Sequence, residues 1–174
     1  MKNVYEKCPI YETESFVLRL VRLEDAEALL SCYSDSDNVK KFNADFCTSD
    51  FYYSTAEEME DCIKFWLEEY KKQYYVRFAV VPKSTGTAIG TVEIFGGDCG
   101  VLRIDLAQKY NTEKFFDEII QLTVDKFIDD FGIGSVKIKT SNIPEKICCI
   151  ERFGFTESKT FRPEFGYHEY TVSG

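Results

Sequence analysis

A single histidine, His168, stands among 174 residues, so a multi-histidine metal centre is excluded and one imidazole is left for any histidine chemistry. Prolines number four, and the glycines follow no repeat, which excludes a collagen-like or low-complexity chain. No apolar run approaches the ~20 residues of a membrane span. Met1–Glu6 has no apolar segment of the kind a secretory signal carries. Basic residues are outnumbered 21 to 30, and the net charge of -9 leaves little surface for a phosphate backbone. The expected partner is therefore an amine or a peptide rather than nucleic acid or a membrane. Seven cysteines, an odd number without paired spacing, fit a reducing, cytoplasmic compartment rather than a disulfide framework. The length suits one domain, 1–174, with a sizeable core.

What is present alternates between two periods. Residues 16–22 read as a strand of branched side chains, and Leu23-Glu24-Asp25-Ala26 opens a helix with Ala26, Leu29, Leu30 and Tyr33 on one side. A short helix is expected around Asn38–Phe42, with loop to residue 54. Thr55 and Glu58 form a capping box ahead of the helical stripe Met59, Cys62, Ile63, Trp66, Leu67, Tyr70. Strands follow over 76–81 and 87–95, then a glycine-rich turn over 96–100 and a strand over 101–106. On that last strand Leu102, Ile104 and Leu106 alternate with Arg103 and Asp105, which read as a solvated face. Phe116 to Phe131 is the strongest helical stripe, stopped by Gly132. A strand over 135–139, a helix from Pro144 to Gly154, and closing strands over 155–160 and 167–172 complete the chain. Consecutive strands followed by strand–helix–strand predict a mixed α/β sheet, mostly an antiparallel meander, with one local parallel pair.

Three strings in this order resemble the GNAT superfamily of acetyl-CoA-dependent N-acetyltransferases. Leu18-Arg19-Leu20-Val21-Arg22-Leu23-Glu24-Asp25-Ala26 is similar to the opening strand and helix start of the branch that acetylates N-termini of ribosomal proteins. Ala88-Ile89-Gly90-Thr91-Val92 is similar to its Ile-Gly strand, and Glu151-Arg152-Phe153-Gly154-Phe155 to its closing Gly-Phe step. The resemblance implies the GNAT fold and acetyl transfer from acetyl-CoA to a primary amine, such as a peptide N-terminus. An alternative is a GNAT-fold binding or regulatory protein that has lost acetyl-CoA.

The segment that separates these readings runs from Tyr110 to Glu118. The family's turn there is glycine-rich; here Asn111 matches its Arg or Gln position, Thr112 and Lys114 stand where glycines are common, and Phe116 stands at a Gly or Ala position. Small residues let helix N-terminal amides approach a pyrophosphate, and a side chain at a position needing positive φ would cost about 1–2 kcal/mol. Lys114 could pair with phosphate as a point charge, whereas Phe116 could fill cofactor space. Equally, 112–116 reads as a capped first helical turn with core phenylalanines. The resemblance implies cofactor contacts at Leu106, Ala107, Asn111, Thr112, Lys114, Phe115, Phe116 and Asn142, with a strand-end backbone amide for the oxyanion. Glu93 and Asp105, the carboxylates of the central strands, are the candidate general bases.

Two further family positions depart from the pattern. Ile150 stands where a tyrosine acid is frequent, and Lys146 where the branch usually has serine; a thiol of pKa ~8.5 leaves without much acid assistance. Cys148-Cys149 reads as a buried packing pair, and His168 as a half-exposed strand residue. Gly132-Ile133-Gly134 follows a helix, the wrong context for a dinucleotide turn. Tyr52-Tyr53 and Tyr74-Tyr75 either line an acceptor cleft or pack as aromatics.

Overall fold

The computed structural model describes residues 3–42, 50–95 and 100–172. Its centre is the strand Tyr75–Pro82, which is buried on both faces and therefore reads as a near-continuous apolar run. Val76, Phe78 and Val80 point into one core and Tyr75 and Ala79 into the other. Numbering strands in chain order, this is β3, preceded by β1 (Tyr11–Glu12) and β2 (Phe16–Leu20) and followed by β4 (Gly90–Phe95), β5 (Gly100–Leu106), β6 (Ser135–Lys139), β7 (Thr156–Glu157) and β8 (Tyr167–Thr171). They form one sheet in the order β1-β2-β3-β4-β5-β6-β8-β7. Every neighbouring pair is antiparallel except β5–β6. The predicted mixed sheet with one parallel pair is what forms.

Helices cover both faces. On one lie α1 (Ala26–Tyr33), α2 (Ser36–Phe42) and α3 (Ala56–Lys71). On the other lie α4 (Glu113–Leu122), a π segment Thr123–Phe127, α5 (Ile128–Phe131) and α6 (Ile147–Arg152). The Thr55 box closes in both directions: Thr55 Oγ1 accepts from the Glu58 amide at 3.2 Å, and Glu58 Oε2 accepts from the Thr55 amide at 3.2 Å. Arg19 Nη1 and Nη2 donate to Asp25 at 2.7 and 2.6 Å, tying β2 to the entrance of α1. That fork explains the spacing of the opening string.

Two glycines are fixed by backbone geometry. Gly132 ends α5 in the left-handed region at φ 61°. At Gly90 a Cβ would lie 2.1 Å from the Asp105 carbonyl oxygen, so only glycine lets β5 approach β4.

Several expectations are corrected. Residues 87–89 are not strand, and the closing strand expected over 155–160 shrinks to Thr156–Glu157. The two-residue β1 was not anticipated. Cys149 is buried but Cys148 is exposed, and His168 is buried, with Nδ1 2.8 Å from Thr140 Oγ1. The turn cluster expected over 96–100 falls outside the described residues as far as Cys99.

Candidate active site

The sheet opens at its parallel pair. β5 and β6 are in register only through Gly100↔Val136, Val101↔Lys137 and Leu102↔Ile138, although β5 continues to Leu106. Between the diverging strands lies a cavity of about 60 Å³, walled by Leu102, Leu106, Phe116, Ile138, Asn142 and Tyr167 among others. The Ala107 amide donates to the Ile89 carbonyl at 2.9 Å, and Asp105 and Arg103 stand opposite Thr91 and Glu93. By the two-residue alternation of an antiparallel ladder, the amides of Ile104 and Leu106 then face the opening.

α2 bridges this opening. Asn38 Nδ2 donates to the Leu106 carbonyl at 3.2 Å. The last carbonyls of α2 are taken from both strands' sides: Asn142 Nδ2 donates to Lys41 O, and Arg103 Nη2 to Phe42 O. Asn142 Oδ1 is buried with no hydrogen-bond partner among the described residues. A buried acceptor left unpaired costs about 1–3 kcal/mol, so a ligand N–H placed here would be favoured.

The charged residues of β3, β4 and β5 form a buried network under α1–α3 and are not a solvated face. Arg77, 1% exposed, pairs with Glu93 through Nη2 and with Asp105 through Nη1 at 3.2 Å. Asp105 also accepts from Arg103 Nε at 3.0 Å and from the Tyr33 hydroxyl at 3.2 Å. The Arg77 guanidinium lies 4.4 Å from the Trp66 ring centroid and that of Arg103 4.2 Å from Phe51. Burial works to lower the Arg77 pKa, but the Glu93 carboxylate, with that of Asp105, outweighs it and holds the group above its usual range. Burial, reinforced by Asp105, pushes the Tyr33 hydroxyl well up, which keeps it a hydrogen-bond donor.

The expected site residues separate into groups. Asp105, Leu106, Asn111, Phe116 and Asn142 meet at the cavity between β5 and β6. Glu93 lies on a second cavity of about 190 Å³ with Tyr53, Tyr75, Trp66 and Arg77, beside the exposed rings of Phe65 and Phe95. Ala107 spends its amide on Ile89. Thr112, exposed, caps α4 by accepting from the Phe115 amide at 3.5 Å. Phe115 stacks on Phe16 at 5.4 Å between centroids. Lys114 is on the outer surface, 2.9 Å from Glu14. No residue from 107 to 116 has positive φ, so the turn is built without the strain that a glycine-type conformation would impose.

Ile150, at the tyrosine position, is fully buried in the core. Two thiols are held from the thiolate form: burial first, then Asp117 and Glu113, raises Cys149, and burial pushes Cys62 up to about 11. What the sequence did not expose is the part α2 plays through Asn38, Lys41 and Phe42, since tertiary contacts alone place that helix over the opening.

A layered α/β sheet that parts at a single parallel pair, with backbone amides facing the gap, defines the acyl-CoA transferase class of fold. Residues 15–156 match the family model for the acetyltransferase (GNAT) domain, and the chain belongs to that family. The structure is similar to RimL, the ribosomal L7/L12 α-N-protein acetyltransferase, solved in complex with coenzyme A: TM-score 0.73 at 10% identity, covering 94% of this chain and 98% of that one. It is also similar to a GNAT-family acetyltransferase from Bacillus anthracis, TM-score 0.71 at 15% identity over 94% and 98% of the two chains. A ribosomal-protein-S5-alanine acetyltransferase from Vibrio fischeri gives TM-score 0.67 at 15% identity over 94% and 96%. No curated protein matches the sequence. Among the described residues no helix is long and apolar enough to cross a membrane.

Proposed function

We propose that the protein moves an acetyl group from acetyl-CoA to a primary amine, with a peptide N-terminus as the substrate class. The observation that carries this is the parting of β5 from β6, where the buried, unpaired Asn142 Oδ1 and the Ile104 and Leu106 amides converge on one cavity. These groups fit an amide-bearing pantetheine arm: Oδ1 accepts an arm N–H, and the strand amides donate to an arm or thioester carbonyl. Acetyl-CoA supplies an activated thioester. In the reaction the neutral amine nitrogen bonds to the thioester carbonyl carbon, the carbon–sulfur bond breaks with its electron pair going to sulfur, the amine proton leaves to a carboxylate, and that proton, returned directly or through water, converts the departing thiolate to free thiol. Asp105 is the carboxylate beside the opening, and Glu93 the one beside the second cavity.

The competing reading, a GNAT-fold protein that binds a partner without acetyl transfer, is favoured by one feature. The cavity holds about 60 Å³ and Phe116 forms part of its wall, whereas ligand sites are commonly about 300–1,000 Å³. Phe116 therefore narrows the space open to a coenzyme arm. Incubation with acetyl-CoA and peptides bearing free N-terminal amines, followed by mass spectrometry and thiol release, decides between them. Acetylated peptide with stoichiometric free thiol supports transfer; neither product over a broad peptide set, with folded protein, supports the binding reading.

A further inference from the structure

α3, β3 and β4 build the cavity beside Glu93. Cys62, Phe65 and Trp66 reach it from one face of α3, at the spacing of helical neighbours. Tyr75 and Arg77 alternate onto one side of β3 and stand opposite Phe95 and Glu93 of β4. Glu93 stands in turn opposite Arg103 of β5. Six aromatic residues, Phe51, Tyr53, Phe65, Trp66, Tyr75 and Phe95, therefore surround the charged rung Arg77-Glu93-Arg103. The base is balanced in charge, because Arg77 and Arg103 are matched by Glu93 and Asp105. Arg77, on the wall, keeps its Nε buried with no hydrogen-bond partner among the described residues. At the rim Phe65 is 57% and Phe95 37% exposed.

We propose that this cavity is the specificity pocket for the acceptor, holding the aromatic side chain of a peptide's first residue while its amine lies towards Asp105. A dry apolar cavity of about 150 Å³ takes one benzene ring, so a cavity of about 190 Å³ matches one aromatic side chain. The side chain of alanine or serine leaves it mostly empty, and a charged side chain finds no net opposite charge at its base. An oxygen brought in by a tyrosine hydroxyl or a peptide carbonyl gives Arg77 Nε the acceptor it lacks. Arg103 joins the two cavities, since it lines both. Asp105, two residues further along β5, about 7 Å by the rise of a strand, lines the one between β5 and β6. The proposal rests on the acetyl-transfer reading for the fate of the amine, but not for the binding of the ring.

The full chain with acetyl-CoA is assayed on short tryptophan-free peptides that differ only in their first residue: phenylalanine, tyrosine, leucine, alanine, serine or lysine. The expected kcat/KM for phenylalanine and tyrosine exceeds that for alanine and serine at least tenfold, with lysine among the poor substrates. Phe65→Ala, a change at an exposed position, should raise KM for the phenylalanine peptide about 2- to 10-fold with little change in kcat. Transfer to alanine or serine peptides as fast as to phenylalanine overturns the pocket and leaves acetyl transfer standing. If no peptide is acetylated, the transfer reading fails and binding alone decides the pocket. Trp66 is the only tryptophan in the sequence, so its indole N–H resonance reports on the cavity directly. A saturable shift with the phenylalanine peptide that the alanine peptide does not produce upholds the pocket; an unmoved resonance overturns it. A dimer in sedimentation that Phe65→Ala dissociates assigns the rim to a second copy of the chain and also overturns it.

Discussion

Asn38 of α2 donates to the carbonyl of Leu106, the last residue of β5, at 3.2 Å, and so ties a seven-residue helix to the strand end that borders the opening in the sheet. The contact is buried, and its removal strands a carbonyl. Asn38→Ala should lower stability by about 1–3 kcal/mol in a urea melt. An unchanged midpoint would mean that α2 is held by its other contacts alone.

Phe116 is 2% exposed and walls the cavity between β5 and β6. Truncating it to alanine removes a buried ring at a cost of about 3–5 kcal/mol. The space gained lies where the coenzyme arm would run, so Phe116→Ala should melt lower yet bind acetyl-CoA more tightly than wild type. A folded variant with equal or weaker affinity would place the arm elsewhere.

Removal of either network carboxylate has two readouts. If Asp105 or Glu93 accepts the amine proton, Asp105→Asn or Glu93→Gln should cut turnover by roughly two to four orders of magnitude. Each carboxylate is also buried against Arg77, and breaking a buried pair costs about 3–5 kcal/mol. Assays must therefore be run well below each variant's melting point. Near-wild-type turnover in both folded variants would remove the network from the chemistry.

Glu118 of α4 accepts from the Ser15 hydroxyl at 2.6 Å and the Ser15 amide at 3.0 Å. Partial burial would raise its pKa, but these bonds, with one from Thr13, outweigh burial and hold it below the usual carboxylate range. A lowered folded pKa means that its stabilisation is present above the unfolded value of ~4.3 and is lost as pH falls through the folded value. Glu118→Gln should therefore be less stable than wild type at pH 7, with the gap closing as the pH is taken down towards the folded pKa. A gap that stays constant with pH would show that the carboxylate's charge is irrelevant.

Local signals carried the fold further than they carried the site. The Thr55–Glu58 box, the Gly132 stop and the alternation of β5 are decided by nearest neighbours, and each appears where the sequence places it. Arg103 and Asp105 show the limit. Alternation says that they share one face of β5, not that α1–α3 bury that face around Arg77. The missing glycine turn was legible at residues 111–116, but its replacement by an unstrained, Thr112-capped helix start required the backbone.

The central claim is that acetyl-CoA enters where β5 leaves β6. Hydrogen exchange of the wild-type protein with and without acetyl-CoA addresses it directly. The account predicts slowed exchange at Ile104 and Leu106 and across 138–143, accompanied by a rise in melting temperature, because a ligand that binds the folded state stabilises it. Unchanged exchange at these positions at millimolar acetyl-CoA, or slowing confined to the second cavity around Tyr53 and Trp66, would contradict it.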